Sequence, residues 1–190
     1  QKSAQEQKKG IWCGERGFVR DFPVKVNAEN ILAKKEFECN VDGIENATSF
    51  FLFLLPIHAR IYLSLADVES ISFPKGDPLC KLAKIDTRNK FLHKKINIRI
   101  IEYNYRNRYK DVPSFIGIIL DEKLQKAVLD SVEKGYAKFN IKNQDCCLNA
   151  DQILTKQYIA QQNKQGIWAT RKVIRPEILT NMTGTITLIK

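Results

Sequence analysis

Apolar and polar residues alternate along several short stretches of this chain, a pattern typical of half-buried β-strands. The alternation is clearest in residues 59–65 and 95–103, where Ile61, Leu63 and Leu65, and then Ile96, Ile98 and Ile100, occupy every second position. Shorter stretches with the same character predict three further strands, at residues 37–41, 48–55 and 115–120. Asp42-Gly43 follows the first of these and is a turn signal. Five strands are therefore predicted.

Helical periodicity appears in three other segments. Residues 78–92 place Leu79, Leu82 and Ala83 on one face of a helix, with basic residues opposite. A second helix is predicted between Asp121, which suits an N-cap, and Gly135, which suits a C-terminal stop. A third is predicted at residues 151–164. The order is three strands, a helix, two strands and two helices, which predicts an α+β fold: a five-stranded Greek-key OB-fold barrel with about three helices.

Composition narrows the class of protein. The chain has 190 residues and 44% hydrophobic content, enough for one domain of ordinary size with some additional chain. The chain does not begin with Met, so we expect a piece of a longer protein. No apolar run reaches the ~20 residues of a membrane helix, so no membrane partner is expected. Five cysteines without framework spacing predict free thiols in a cytoplasmic or nuclear protein. No C-x-x-C pattern is present, so neither a zinc site nor another cofactor is expected.

The positive charge is concentrated in one part of the chain. The net charge is +10, and residues 77–110 hold ten Lys or Arg against three Asp or Glu. Such clustering is typical of proteins that bind a polyanion, although a solvated basic face without a partner has the same pattern. Tyrosines alternate with basic residues in 103–110, and this combination can bind phosphates and stack on bases. The predicted nucleic-acid-binding residues are Lys81, Lys84, Arg88, Lys94, Lys95, Arg99, Tyr105, Arg106, Arg108 and Lys110.

One phrase occurs twice. QKKGIW near the start returns as NKQGIW near the end, and the two copies contain both tryptophans of the chain, Trp12 and Trp168. When Ala4 is aligned with Ala160, six of nine positions agree. The two segments are either copies of an internal repeat or similar by chance.

Three segments carry a family resemblance. FIGIILDEKLQKAVLDSVEKGYAKF, GDPLCKLAKIDTRNKFLHKKINIRI and the closing GIW occur in the order of the staphylococcal nuclease-like domain, which residues 37–168 resemble. Residues 1–36 then look like the tail of a preceding repeat plus a linker. Residues 169–190 look like a linker and the first strand of a following repeat. Tandem copies resemble the Tudor staphylococcal nuclease family, which implies RNA, neighbouring repeats and proteins of a ribonucleoprotein complex as partners.

The resemblance implies a degenerate catalytic site. Active members of the family use Ca²⁺, carboxylate ligands and two arginines on the phosphate. Ile44 stands where a metal-binding Asp is expected, Tyr62 and residues 112–114 replace the arginines, and Ser70 replaces the glutamate. Asp67 alone is retained, as a remnant expected to bond to the backbone. No metal site and no significant nuclease activity are therefore expected.

Three functions remain open from the sequence. The first is a catalytically degenerate repeat that binds RNA or single-stranded DNA through its basic surface and acts as a scaffold. The second is a Ca²⁺-dependent nuclease with a rearranged site, which requires Asp67, Arg60 and either Glu45 or Glu69 to converge. The third is a protein-interaction module, which predicts an exposed apolar patch and a weak salt dependence of nucleic-acid binding.

Overall fold

The computed structural model describes residues 28–55, 57–70, 77–105, 109 and 112–169, apart from the side chain of Gln144. In this part of the chain, seven strands and four α-helices follow one another. The strands are β1 (Glu36–Asn46), β2 (Ser49–Leu54), β3 (Ala59–Leu65), β4 (Val68–Ser70), β5 (Lys95–Tyr103), β6 (Ser114–Ile119) and β7 (Ala137–Phe139). The helices are α1 (Ala28–Lys34), α2 (Pro78–Phe91), α3 (Glu122–Glu133) and α4 (Ala150–Gln162), with short 3-10 helices at Ile141–Cys146 and Gly166–Trp168.

Five strands form a closed barrel in the order β1-β2-β3-β6-β5, with β5 pairing back onto β1. All pairs are antiparallel except β3 and β6, which run parallel from the Tyr62–Ser114 pair to the Leu65–Gly117 pair. This is the strand order of an OB-like barrel. The strands β4 and β7 form a separate two-stranded antiparallel sheet. The predicted α+β fold with a five-stranded barrel is confirmed.

The barrel core follows from the alternation in the sequence. Inward-facing residues on all five strands are fully buried, because successive side chains of a strand point to opposite faces. They include Cys39, Val41, Phe50, Leu52, Leu54, Ile61, Leu63, Ile96, Ile98, Ile100 and Phe115. Phe91 of α2 joins this core and packs on Phe50, with ring centroids 5.2 Å apart. Leu124, Val128 and Val132 of α3 belong to the same core.

The predicted turn at Asp42-Gly43 is wrong. The strand β1 continues through both residues to Asn46, with one bulge between Val41 and Gly43 and another between Ile44 and Asn46. The turn lies at Ala47-Thr48 instead. Asn46 fixes it, because its Oδ1 accepts hydrogen bonds from the Thr48 N–H at 2.8 Å and from the Thr48 hydroxyl at 3.2 Å.

Helix α1 lies in a segment that the sequence assigned to the tail and linker. It contacts β5, and its Ile31 is only 1% exposed within the main core, so this helix packs on the barrel. Residues 1–27 and 170–190 lie outside the described residues. They include the first Gly-Ile-Trp phrase and the segment predicted to begin a following repeat.

The second Gly-Ile-Trp phrase is joined to the end of α3. Asp121 caps the start of α3 by accepting a hydrogen bond from the Lys123 N–H, as predicted. Just after the helix, Gly135 has φ +68°, and Gly166 has φ +53°. The Ile167 N–H donates a hydrogen bond to the Gly135 carbonyl at 3.2 Å. This bond holds the Gly-Ile-Trp segment against the end of α3, where Trp168 is buried.

Candidate functional site

The outer face of α2 carries a cluster of exposed basic residues. Asp77 caps this helix by accepting a hydrogen bond from the Leu79 N–H at 2.8 Å, and Pro78 occupies the first turn, where its missing N–H costs nothing. The inner face buries Ala83, Thr87 and Phe91, spaced four residues apart. The exposed residues on the other side include Lys81, Lys84 and Arg88.

These three side chains are not neutralised within the described part of the chain. The only acid of α2 itself is Asp86, whose carboxylate is bound by Lys90 and by Lys134, the residue that follows α3, each at 2.7 Å. No ion pair forms on Lys81, Lys84 or Arg88, nor on the exposed Lys94, among the residues that the structure describes. We name Lys81, Lys84 and Arg88 the α2 basic face.

Lys95 and Arg99 are placed differently from the α2 basic face. Both point outward from β5 toward the neighbouring strand β1, where Lys95 pairs with Glu38 at 2.6 Å and Arg99 with Glu36 at 2.8 Å. Their charges are partly compensated by these exposed pairs, so they are weaker candidates for a phosphate contact than the α2 basic face.

The tyrosines of the loop after β5 divide into two groups. Tyr105 is 89% exposed, with its ring 4.9 Å from that of Tyr103. Tyr109 instead packs on Phe51 and Tyr62, with centroid distances of 5.0 and 5.1 Å. Of the two described tyrosines in this loop, Tyr105 has the more exposed ring and is the better candidate for stacking on a base. Arg106, Arg108 and Lys110, which were predicted to bind nucleic acid, lie outside the described residues.

A polar cleft of about 460 Å³ lies beside β1, β3, β4 and the start of α2. Its walls combine two glutamates, two tyrosines, several hydroxyls and four asparagines: Glu45, Glu69, Tyr62, Tyr109, Thr48, Ser49, Ser64, Ser70, Asn46, Asn104, Asn140 and Asn143. No Lys, Arg or His lines the cleft among the described residues. The sequence did not predict the asparagines, although three of them end or directly follow a strand.

The residues required for a rearranged nuclease site, Asp67, Arg60 and one of two glutamates, do not meet in the cleft. Glu45 and Glu69 line it, whereas Asp67 and Arg60 do not. Arg60 binds Asp42 at 2.8 Å. Within the described ranges, no group of three or more His, Cys, Asp or Glu is arranged to hold a metal ion.

Asp67 is partly buried between the barrel strand β3 and the β4–β7 sheet. Its backbone carbonyl accepts a hydrogen bond from Asn140 at 3.0 Å, and its carboxylate oxygen Oδ1 has no hydrogen-bond partner in the described structure. Burial raises the pKa of Asp67 from 3.8 to about 6, and backbone hydrogen bonds from Asp67 and Val68 oppose the rise only in part. The carboxyl group that the sequence matched to the family pattern is therefore largely desolvated.

Comparison with known proteins does not assign this chain to a family. No protein-family model matches the chain, and a search of curated proteins finds no match. The barrel is compatible with the OB-type architecture that the sequence resemblance implied.

None of the described helices is long and apolar enough to cross a membrane. Cys39, Cys80, Cys146 and Cys147 are free thiols.

Proposed function

We propose that this chain is a catalytically degenerate staphylococcal nuclease-like repeat that binds RNA or single-stranded DNA and acts as a scaffold in a cytoplasmic or nuclear ribonucleoprotein complex. The observation that carries the proposal is the α2 basic face, whose three cations have no acidic partner in the described part of the chain. Lys81 and Arg88 are seven residues apart, so their helix positions span about 10 Å along the axis. Three unneutralised cations over this distance suit a phosphate backbone and carry no sequence information.

Two features of the loop and the cleft support binding without cleavage. The exposed ring of Tyr105 offers a stacking surface that accepts any base. Tyr62 stands at a position where the family resemblance requires a phosphate-binding arginine, and Ile44, at the metal-ligand position, is buried at 8% exposure. Loss of these groups removes the electrostatic stabilisation that phosphodiester hydrolysis needs.

The test is a binding experiment across a salt series. Labelled single- and double-stranded RNA are titrated by fluorescence polarisation, with and without Ca²⁺, and intact and cleaved RNA are quantified in the same samples. The decisive variant replaces Lys81, Lys84 and Arg88 with Gln. The matched control replaces Lys123, Lys126 and Lys142 with Gln, which removes the same net charge from exposed positions elsewhere.

We expect the α2 variant to reduce the slope of log affinity against log salt by about 2 on single strands, and the control to change it little. Equal effects of the two variants would contradict a localised site. Ca²⁺-dependent cleavage would favour the rearranged nuclease, and an absence of both binding and cleavage would favour a protein-interaction module.

The protein-interaction module has one observation in its favour. Leu82 and Ile85 of α2 are 54% and 55% exposed, although Leu82 was predicted to share a helix face with Leu79 and Ala83, away from the basic residues. Both residues lie on the same helix as the α2 basic face, so a protein partner could bury them. Replacing both with Gln should leave RNA affinity nearly unchanged if RNA binds only through phosphates.

A further inference from the structure

The polar cleft differs in charge from the surface that we assign to nucleic acid. The only formally charged groups that line it among the described residues are the carboxylates of Glu45 and Glu69. A phosphate in this cleft would lie near these carboxylates, and no described lining residue supplies a cation to offset them.

The backbone of β1 turns Glu45 into the cleft. The register passes from the Ile44–Phe50 pair directly to the Asn46–Ser49 pair, so Glu45 is the extra residue of a bulge and has no partner on β2. Bulges of this kind re-aim a side chain beside functional sites. Glu69, by contrast, is neutralised by an ion pair with Lys138. Glu45 forms no ion pair within the described part of the chain, and so it supplies the uncompensated charge.

Two aromatic rings line the same cleft as this carboxylate. Tyr62 and Tyr109 both line the cleft, and their ring centroids lie 5.1 Å apart. Phe51 supports both rings from the barrel side, at 5.2 and 5.0 Å. An electron-rich ring face and a carboxylate in the same cleft are the pair of groups that attracts an organic cation.

The same surface already shows this mode of binding within the chain. The guanidinium carbon of Arg60 lies 4.8 Å from the centroid of the Phe51 ring, and its Nε donates to the Asp42 carboxylate at 2.8 Å. The cleft offers an equivalent pair, the rings of Tyr62 and Tyr109 with the carboxylate of Glu45. Its asparagine and hydroxyl groups can serve the remaining donors of a planar guanidinium.

We propose that the polar cleft binds the guanidinium or ammonium group of a basic segment in a partner protein, and does not bind a phosphate. The cleft volume of about 460 Å³ is in the range of sites for small organic groups. The carboxylate of Glu45 supplies charge, the two tyrosine rings supply a flat contact, and the asparagines fix orientation.

The experiment uses the whole chain and a pair of isosteric peptides. N-acetyl-Gly-Arg-Gly-amide is titrated by NMR, and the side-chain amide signals of Asn46, Asn140 and Asn143 are followed. The citrulline analogue has nearly the same shape without the charge. Uridine monophosphate and a glucose oligomer test a phosphate and a neutral sugar. The variant Glu45→Gln removes the proposed charge, and Glu122→Gln, an exposed residue outside the cleft, is its control.

We expect saturable shifts of these amide signals with the arginine peptide. The unchanged protein should bind the citrulline peptide about fivefold more weakly, and Glu45→Gln should bind the arginine peptide about fivefold more weakly, as expected for the loss of one partly exposed charged contact. Glu122→Gln should match the unchanged protein. The proposal is overturned if citrulline binds as tightly as arginine, or if Glu45→Gln has no effect. It is equally overturned if uridine monophosphate or the glucose oligomer gives the stronger shifts, or if none of the probes shifts the cleft signals.

Discussion

Replacing Gly135 with Ala should destabilise the fold strongly, because two separate costs arise at this position. At φ +68°, a residue with a Cβ pays about 1–2 kcal/mol of backbone strain. The added Cβ would also lie 2.3 Å from the carbonyl oxygen of Gln165 and 3.1 Å from the Cα of Gly166. Because these are backbone atoms, the steric overlap can be relieved only if the Gly-Ile-Trp segment moves.

That movement breaks the hydrogen bond from Ile167 to Gly135, which contributes about 1 kcal/mol. It also loosens Trp168, which is 8% exposed and packs with Ala160 and Leu79. Partial exposure of one large apolar side chain adds about 1–2 kcal/mol. We expect Gly135→Ala to lower the free energy of unfolding by at least about 3 kcal/mol.

Urea denaturation followed by circular dichroism measures this change, and two further variants separate its causes. Gly43→Ala is the control, because its Cβ would meet only the Phe51 side chain, at 3.3 Å, and we expect a loss below about 1 kcal/mol. Asn tolerates positive φ, so Gly135→Asn relieves the strain but keeps the steric conflict. The reasoning fails if Gly135→Ala costs no more than Gly43→Ala, or if Gly135→Asn restores nearly full stability.

Two partly buried carboxyl groups should change the stability with pH in opposite directions. Asp67 has its pKa raised to about 6 by burial, so its contribution to stability is greatest below about pH 4 and is lost as the pH rises through 6. Asp67→Asn should therefore be more stable than the parent by about 2–3 kcal/mol above pH ~7, and nearly equal to it below pH ~4; thermal unfolding across this range checks both limits. For Asp86, burial raises the pKa, but hydrogen bonds from Lys134 and Lys90 outweigh it, so the pKa lies below 3.8. Its contribution is present at neutral pH and is lost in acid, so Asp86→Asn should cost about 1 kcal/mol at neutral pH and progressively less below pH ~4; a constant difference at all pH values would contradict this.

The long elements of the fold were predictable because their patterns are local. The strands β3 and β5 have the predicted bounds, since alternating aliphatic residues specify a strand with one buried face. The strands β4 and β7 were missed, because three residues are too few to show periodicity. The helix α1 was missed as well, because it is seven residues long and buries only Ile31 fully.

The charges of the candidate site were predictable, but their pairing was not. The exposed faces of α2 follow from helical spacing. Whether Arg99 is neutralised depends on its register opposite Glu36, a contact between residues 63 positions apart. The position of Glu45 depends on a bulge, which shifts the alternation by one residue and has no unambiguous sequence signal. The pairing of strands that are distant in the sequence therefore determines the parts of the site that could not be predicted from the sequence.

Closure of the barrel also bears on how the protein behaves at high concentration. Each of the five barrel strands has a hydrogen-bonded neighbour on both sides, so none of them presents an open edge to another molecule. The open edges that remain among the described strands belong to β4 and β7, which are three residues long and carry Glu69 and Lys138. Short charged edges are poor templates for strand addition. Self-association of the native barrel by edge-to-edge pairing is therefore disfavoured by the topology itself.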